Sequence, residues 1–290
     1  IKLQLNFGQC PQLWLSPTLK AVAANPKDRQ CFRIDAENYQ GFERFVRLQI
    51  SEIIPTCYLE GYGRLCQQAE TLPWPTKPRF IFTANNFDTD EIFKAWTGSK
   101  VELGIPYFTG QHGNYCVSPY MEADNNSPEC VTADKFFTWG WSDDDPNNVP
   151  AFNFKIASSK LGGFNPKGGL LLIELHVPHL LTHWDSYFEF GIYQQEQFCF
   201  VEALPETIQK RLKVRLHSAC RRLRWSDEHR WKDFGARVQI ETGLASVSEL
   251  IAESRLVVHS YDSTGILETL ALNIPTVCFW HGGLDHLLPS

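Results

Sequence analysis

The chain of 290 residues lacks any run of about 18 apolar residues, so no stretch of it reads as a membrane-spanning helix. Nothing at its start has the charged-then-apolar pattern of a secretory signal peptide. Cys-x-x-Cys pairs are missing among its nine cysteines, as is the spacing of a zinc finger. An odd number of thiols scattered among apolar neighbours reads as reduced cytosolic cysteine rather than a disulfide framework. An excess of positive charge is also missing. The net charge of −6 argues against general nucleic-acid binding. Internal repeats and low-complexity tracts are absent too.

What is present fits a globular protein: 43% hydrophobic and 21% charged residues, in a length that suits one large domain or two ordinary ones. Both ends read as cut, with a strand over Ile1–Asn6 at the start and a closing helix expected beyond Ser290. Helical spacing runs through residues 39–70 (Phe42, Phe45, Val46, Leu48, Ile50, Ile53), with a second helical stretch over 58–69. Strands are predicted at 79–83, 106–109, 133–141, 170–175, 214–216, 237–240, 256–258 and 276–279. Helices are predicted at 91–96, 205–212, 246–253 and 266–272. Such alternation predicts an α/β fold of parallel sheets, with ligands held by loops at the strand C-terminal ends. The Asp-, Asn- and Gly-rich segment 142–169 reads as a linker, dividing the chain into two Rossmann-like domains, 1–150 and 151–290.

Five loops carry candidate chemistry. The strongest is Tyr261-Asp262-Ser263-Thr264-Gly265, between an apolar strand and a helix. A hydroxyl- and glycine-bearing turn at a helix N-terminus receives anions through backbone N–H groups and the helix dipole. Glu268, one turn on, could then reach a ribose hydroxyl. Ser263 and Thr264 also fit plain helix capping. Second, Lys213, Arg215 and His217 lie on or beside a strand, with Arg221, Arg222 and Arg224 beyond. They read as a phosphate-compensating group or as a solvated basic face. Third, Gly110-Gln111-His112-Gly113 places an imidazole between glycines at a strand exit. Fourth, Asn85 and Asn86 end another strand, and Asp88 or Thr89 reads as the cap of the following helix rather than half of an Asp-x-Asp metal motif. No metal is expected. Fifth, Glu60 and Asp134 are isolated acids among small and apolar residues, which fit caps as well as they fit catalytic acids.

Taken in order, PRFIFTANNFDTDEIFKAW, GQHGNYC, ECVTADKFFTWGW and VVHSYDSTGILETLALNIPTVCFW resemble the surface-carbohydrate transferases of bacteria. Those enzymes are related to the retaining β-Kdo transferases of lipopolysaccharide O-antigen and capsule synthesis. The early LQLNFGQCPQLW is similar as well. The resemblance implies a GT-B-type architecture and a CMP-activated acidic sugar, Kdo or a relative, passed to a glycan or lipid-linked glycan. It implies no cofactor beyond that donor. On this basis Ser263, Thr264, Glu268, His217, Gln111, Lys213 and Arg215 bind the donor. Asp134 is the nucleophile, Glu60 the acid/base, and His112 completes the catalytic set. His217-Ser218 stands where related enzymes carry His-Pro, and Cys116 follows Tyr115 where the family has glycine. The expected location is the cytoplasm, with peripheral attachment at the inner face of the membrane left open. Two alternatives stand beside this reading: a CDP-glycerol-type polyol-phosphate transferase, and a non-catalytic carbohydrate-binding domain of a longer synthase.

Overall fold

The computed structural model describes residues 19–113, 127–157, 163–175, 190–218, 227–261 and 263–279. The predicted first strand, the loop at 114–116, Asp262 and the arginines at 221, 222 and 224 lie outside them. The described residues divide into two compact units. One holds 19–110, 127–137 and 145–149, and the other holds 111–113, 138–144 and the described residues from 150 onward.

Among the described residues of the first unit, α1 (Pro26–Cys31), α2 (Gly41–Ile53) and α3 (Tyr62–Thr71) come first. A sheet follows in the order β1 (Ile81–Thr83), β2 (Tyr107–Gly110), β3 (Lys135–Thr138), β4 (Asn148–Pro150). The β1–β2 and β2–β3 pairs are parallel. Between β1 and β2 lie α4 (Asn86–Thr89) and α5 (Glu91–Val101), and α6 (Pro128–Val131) precedes β3. The core is Leu65 and Ala69 of α3 against Ile92, Phe93 and Trp96 of α5, closed by Ile81 and Tyr107. The cap of α5 is Asp90, whose carboxylate accepts the Phe93 N–H at 2.9 Å, rather than Asp88 or Thr89, which belong to α4. α2 buries none of its residues. Phe42, Phe45, Leu48 and Ile53 are exposed although their spacing is that of a core-facing helix.

The second unit holds a five-stranded, all-parallel sheet in the order β7 (Gln239–Glu241), β6 (Leu212–Arg215), β5 (Leu170–Ile173), β8 (Leu256–His259), β9 (Thr276–Cys278). The chain winds outward from β5 through β6 to β7, then returns to the other side of β5 with β8. The reversal of strand order lies between β5 and β8, and open α/β sheets bind ligands above such a point. β5, and β8 up to His259, read as apolar runs because both faces are covered. Leu172, Val214 and Val258 face Val201 and Phe198 of α7 (Phe190–Ala203) together with Trp231 and Phe234. Leu171, Ile173 and Val257 face Leu250 of α9 (Val247–Glu253) and Ile274. α8 (Glu206–Gln209) precedes β6, and α10 (Thr264–Ala271) follows β8.

The linker reading of 142–169 needs correction at both ends. Residues 148–150 are the edge strand of the first sheet. Gly169 is required by close approach, not flexibility: a Cβ there would lie 1.8 Å from the Arg211 carbonyl oxygen. No helix among the described residues is long and apolar enough to cross a membrane.

Candidate functional site

The last residues of the second sheet form a row across all five strands. Strand register pairs Glu241 with Arg215, Arg215 with Ile173, Ile173 with His259, and His259 with Cys278. Paired residues of parallel strands point to the same face, so the row brings one cation, one acid and one imidazole to the C-terminal edge. Glu241 is occupied. Its carboxylate accepts the N–H groups of Gly243 at 2.9 Å, Leu244 at 2.6 Å and Ala245 at 3.0 Å. Burial pushes its pKa up, but those three donors and the charge of Arg215 outweigh it and hold the carboxyl below its usual range.

Arg215 is not occupied. Its residue is 8% exposed, its Nε is buried without a partner, and it forms no hydrogen bond or ion pair among the described residues. His259 is in a similar state. It is fully buried and neither ring nitrogen has a partner, and burial lowers its pKa to about 4, so it is neutral at pH 7. The imidazole lies under the turn that starts α10. A Cβ on Gly265 would come within 2.9 Å of its Cε1 and 3.0 Å of the Ser263 hydroxyl. Glycine is required here by contact rather than by backbone angle.

Ser263 is the N-cap of α10: its hydroxyl accepts the Gly265 N–H at 3.0 Å. Thr264 is the first helical residue. Tyr261 links this turn to the strand ends. Burial raises its pKa, while a hydrogen bond with Ser263 and the charge of Arg215 lower it and the charge of Glu268 raises it, so the phenol feels both charges. Glu268 lies one turn along α10 from Thr264 and pairs with Lys155, Nζ to Oε1 at 2.5 Å. On the other face of the sheet, the Tyr193 hydroxyl accepts the Leu175 N–H at 2.8 Å and lies 3.2 Å from Ser260. Burial holds that phenol far above its ordinary pKa.

Of the residues expected to bind donor, the structure therefore gathers Arg215, Ser263, Thr264 and Glu268. His217 lies two residues beyond Arg215, half-buried, on the loop leaving β6. Lys213 lies one strand repeat back from the edge, where its ammonium meets Glu253 at 3.3 Å. Gln111 is buried and fully engaged. Its Oε1 accepts the Trp139 N–H at 2.7 Å and the Trp141 indole N–H at 2.8 Å, and its Nε2 donates to the Gly113 carbonyl at 2.7 Å. It shapes the loop instead of offering an amide to a ligand. His112, its neighbour, is exposed at the exit of β2.

The two carboxylates expected to do chemistry are not brought to the strand C-terminal ends. Asp134 precedes β3, at the N-terminal edge of the first sheet. Its carboxylate accepts the Tyr107 N–H at 2.8 Å and its own N–H donates to the Tyr107 carbonyl at 2.8 Å. Tyr107 and Gln111 are separated by the length of β2, about 13 Å at strand rise. Glu60 is buried against Arg29, 2.7 Å from its Nε, and accepts the Asn25 N–H at 2.8 Å. The Arg29 guanidinium and that N–H hold it at about 2, so it carries no proton to donate at neutral pH. Both acids are accounted for by structure: one joins β2 to β3, the other fixes α1 through Arg29, which also donates to the carbonyls of Ser51, Glu52 and Ile54. Asn85 and Asn86 stand at the β1 exit, where their N–H groups donate to the Thr83 hydroxyl at 3.2 and 3.0 Å.

Three members of the site were not singled out from sequence. Tyr261 lay in the strongest motif, and its aromatic ring between polar residues was the available signal. His259 closes an apolar run, where it reads as one more strand residue. Lys155 carries no local signal, because its partner is 113 positions away.

No curated protein matches the chain. Among solved structures, it is similar to a protein from Listeria monocytogenes described as a UDP-N-acetylglucosamine 2-epimerase, at 12% identity and a TM-score of 0.39. That match covers 74% of this chain and 61% of the other. The model of the LIC12162 family transferases matches residues 1–290, and the chain belongs to that family.

Proposed function

We propose that this transferase is a glycosyltransferase whose second unit binds the nucleotide of a CMP-linked acidic sugar, Kdo or a relative, for transfer to a glycan or lipid-linked glycan of the cell surface. The observation that carries the reading is Arg215. Its Nε is buried without a hydrogen-bond partner, and the Glu241 carboxylate in register with it already accepts three N–H groups, so the guanidinium has donors left for an anion that arrives from outside. At the same C-terminal sheet edge lie the elements a nucleotide monophosphate needs: a helix N-terminus capped by Ser263, the Tyr261 phenol, and a carboxylate at Glu268. One buried cation beside one helix N-terminus suits the single phosphate of a CMP-sugar. The Kdo class itself rests on the motif resemblance.

In the proposed reaction the bond between the anomeric carbon and the phosphate oxygen breaks. CMP leaves with its charge facing Arg215 and the start of α10, so the leaving group needs little acid help. His112, exposed at a strand exit, is the proposed acceptor of the proton from the incoming hydroxyl. Asp134 and Glu60 have structural roles in this proposal. The retaining course, inferred from the resemblance alone, takes two displacements: a carboxylate bonds the anomeric carbon as CMP leaves, and that bond breaks as the acceptor oxygen, its proton passing to His112, bonds the same carbon.

The test is a pair of measurements on Arg215→Met, CMP affinity by calorimetry and stability of the unliganded protein. Loss of a charge-assisted contact to phosphate is worth about 1.5–3 kcal/mol, so affinity should fall roughly 10- to 100-fold. Without ligand, the same variant should lose little stability, since Arg215 makes no hydrogen bond among the described residues and Glu241 keeps its three N–H donors. A structural arginine would give the opposite: lower stability and unchanged CMP affinity. Stabilisation by CDP-glycerol and not by CMP would move the donor to the polyol-phosphate class. Failure of the parent protein to respond to either nucleotide overturns the donor site.

A further inference from the structure

Lys155 lies in a segment that reads as linker, yet it is held firmly. It is the middle residue of a short 3-10 helix, Phe154–Ile156, whose cap Asn153 is buried and accepts the Lys155 N–H at 3.0 Å. The Phe152 and Phe154 rings pack at 4.7 Å beside it. From this base the ammonium reaches Glu268 Oε1 at 2.5 Å. The two partners are unequal. The Lys155 side chain is 61% exposed, whereas that of Glu268 is 23% exposed. A pair so exposed on one side contributes little to stability. Its effect is on orientation.

Thr264 and Glu268 are four residues apart on α10, and therefore on the same helix face about 6 Å apart along the axis. That is the kind of span that separates a nucleotide's 5′-phosphate from its ribose diol. A glutamate at this place has several rotamers, and only some turn its carboxylate along the helix toward the N-terminal turn. We infer that Lys155 is a positioning residue for ribose recognition: by taking Oε1 it fixes the Glu268 carboxylate and leaves Oε2 to accept the ribose hydroxyls of the bound nucleotide. The inference rests on the donor-site reading above and adds the determinant by which the site distinguishes a ribonucleotide from a 2′-deoxyribonucleotide. Burial raises the pKa of the Tyr261 phenol, which also feels the charge of Glu268, and Lys155 is the cation paired with this acid.

The experiment compares CMP with 2′-deoxy-CMP by calorimetry on the full chain, for the parent, Lys155→Met, Lys155→Arg and Glu268→Gln. A carboxylate committed to a ribose hydroxyl penalises the ligand that lacks it, so the parent should prefer CMP by about tenfold or more. Lys155→Met should bring that ratio to within about threefold, with 2′-deoxy-CMP affinity within about twofold of the parent's. Lys155→Arg should restore the ratio, and Glu268→Gln should lose it as Lys155→Met does. A structural role alone would weaken both ligands equally. Retention of the parent ratio in Lys155→Met overturns the inference, and so does a parent that binds both nucleotides equally, in either case leaving the donor site standing. A parent that binds neither nucleotide overturns both readings.

Discussion

At the scale of single residues, the site holds two groups that a well-packed interior normally partners, and they have different consequences. Arg215 has a buried Nε without a hydrogen-bond partner and is the proposed contact for the phosphate. His259 gives up its charge. In the unfolded chain a histidine takes a proton near pH 6.5, whereas the folded imidazole does so only near 4. Between those values the unfolded state binds more protons, so stability is complete above pH 6.5 and falls as the pH drops toward 4. The full shift corresponds to about 3 kcal/mol. Chemical denaturation at intervals from pH 7.5 to 4 should show that loss, and His259→Phe should flatten it. An unchanged slope in the variant assigns the titration to other groups. A second acid-sensitive contact enters lower down. Glu60 ionises near 4.5 when unfolded and near 2 beside Arg29, so its contribution is present above pH 4.5 and is lost as the pH falls through 2.

At the scale of elements, two helices of the second unit start with serine caps that serve different purposes. Ser246 forms a capping box with Glu249 at the head of α9, its hydroxyl accepting the Glu249 N–H at 3.2 Å. Ser263 caps α10 through Gly265, beside Tyr261 and above His259. Each cap replaced by alanine should cost about 1 kcal/mol of stability. Ser246→Ala should leave CMP affinity as it is, while Ser263→Ala should also weaken CMP several-fold, because the turn that faces the phosphate loses its order. Equal affinities in both variants would reduce Ser263 to a cap and nothing more. The elements themselves differ in how plainly the chain spells them. β5 and β8 are readable because strands covered on both faces are continuous apolar runs. Helix α7 was not predicted: it buries Gln197 in mid-helix, and that amide interrupts any apolar stripe. α2 shows the reverse. Its apolar spacing is clear, and that face is exposed among the described residues. Pairing between distant segments is the least legible of all. Nothing near Val149 shows that its segment joins a sheet begun some 65 positions earlier, and nothing near Lys155 names Glu268.

At the scale of the whole molecule, the proposed function asks an acidic chain of net charge −6 to hold an anionic nucleotide against its own average field. Single-Rossmann glycosyltransferases meet that need with a divalent cation on an Asp-x-Asp pair, and Asp88-Thr89-Asp90 has that spacing here. The structure gives those acids other duties: Asp90 is committed to the Phe93 N–H, and Asp88 lies in the only turn of α4. Among the described residues, no group of three or more His, Cys, Asp or Glu side chains is placed to hold a metal ion. The positive charge at the proposed site comes from the chain itself, as the Arg215 guanidinium at the sheet edge and the N-terminus of α10 across the row. On the proposed reading these two groups alone receive the phosphate, and binding draws on no ion from solution. CMP affinity and CMP-induced thermal stabilisation should accordingly be the same in excess EDTA as in millimolar Mg²⁺ or Mn²⁺. The Asp88→Asn and Asp90→Asn variants should bind CMP as the parent does, with Asp90→Asn losing at most the stability of one cap, since asparagine caps nearly as well. A tenfold loss of affinity on chelation, recovered by adding a divalent metal, would show that Arg215 and the helix do not suffice and that the phosphate is held through a cation.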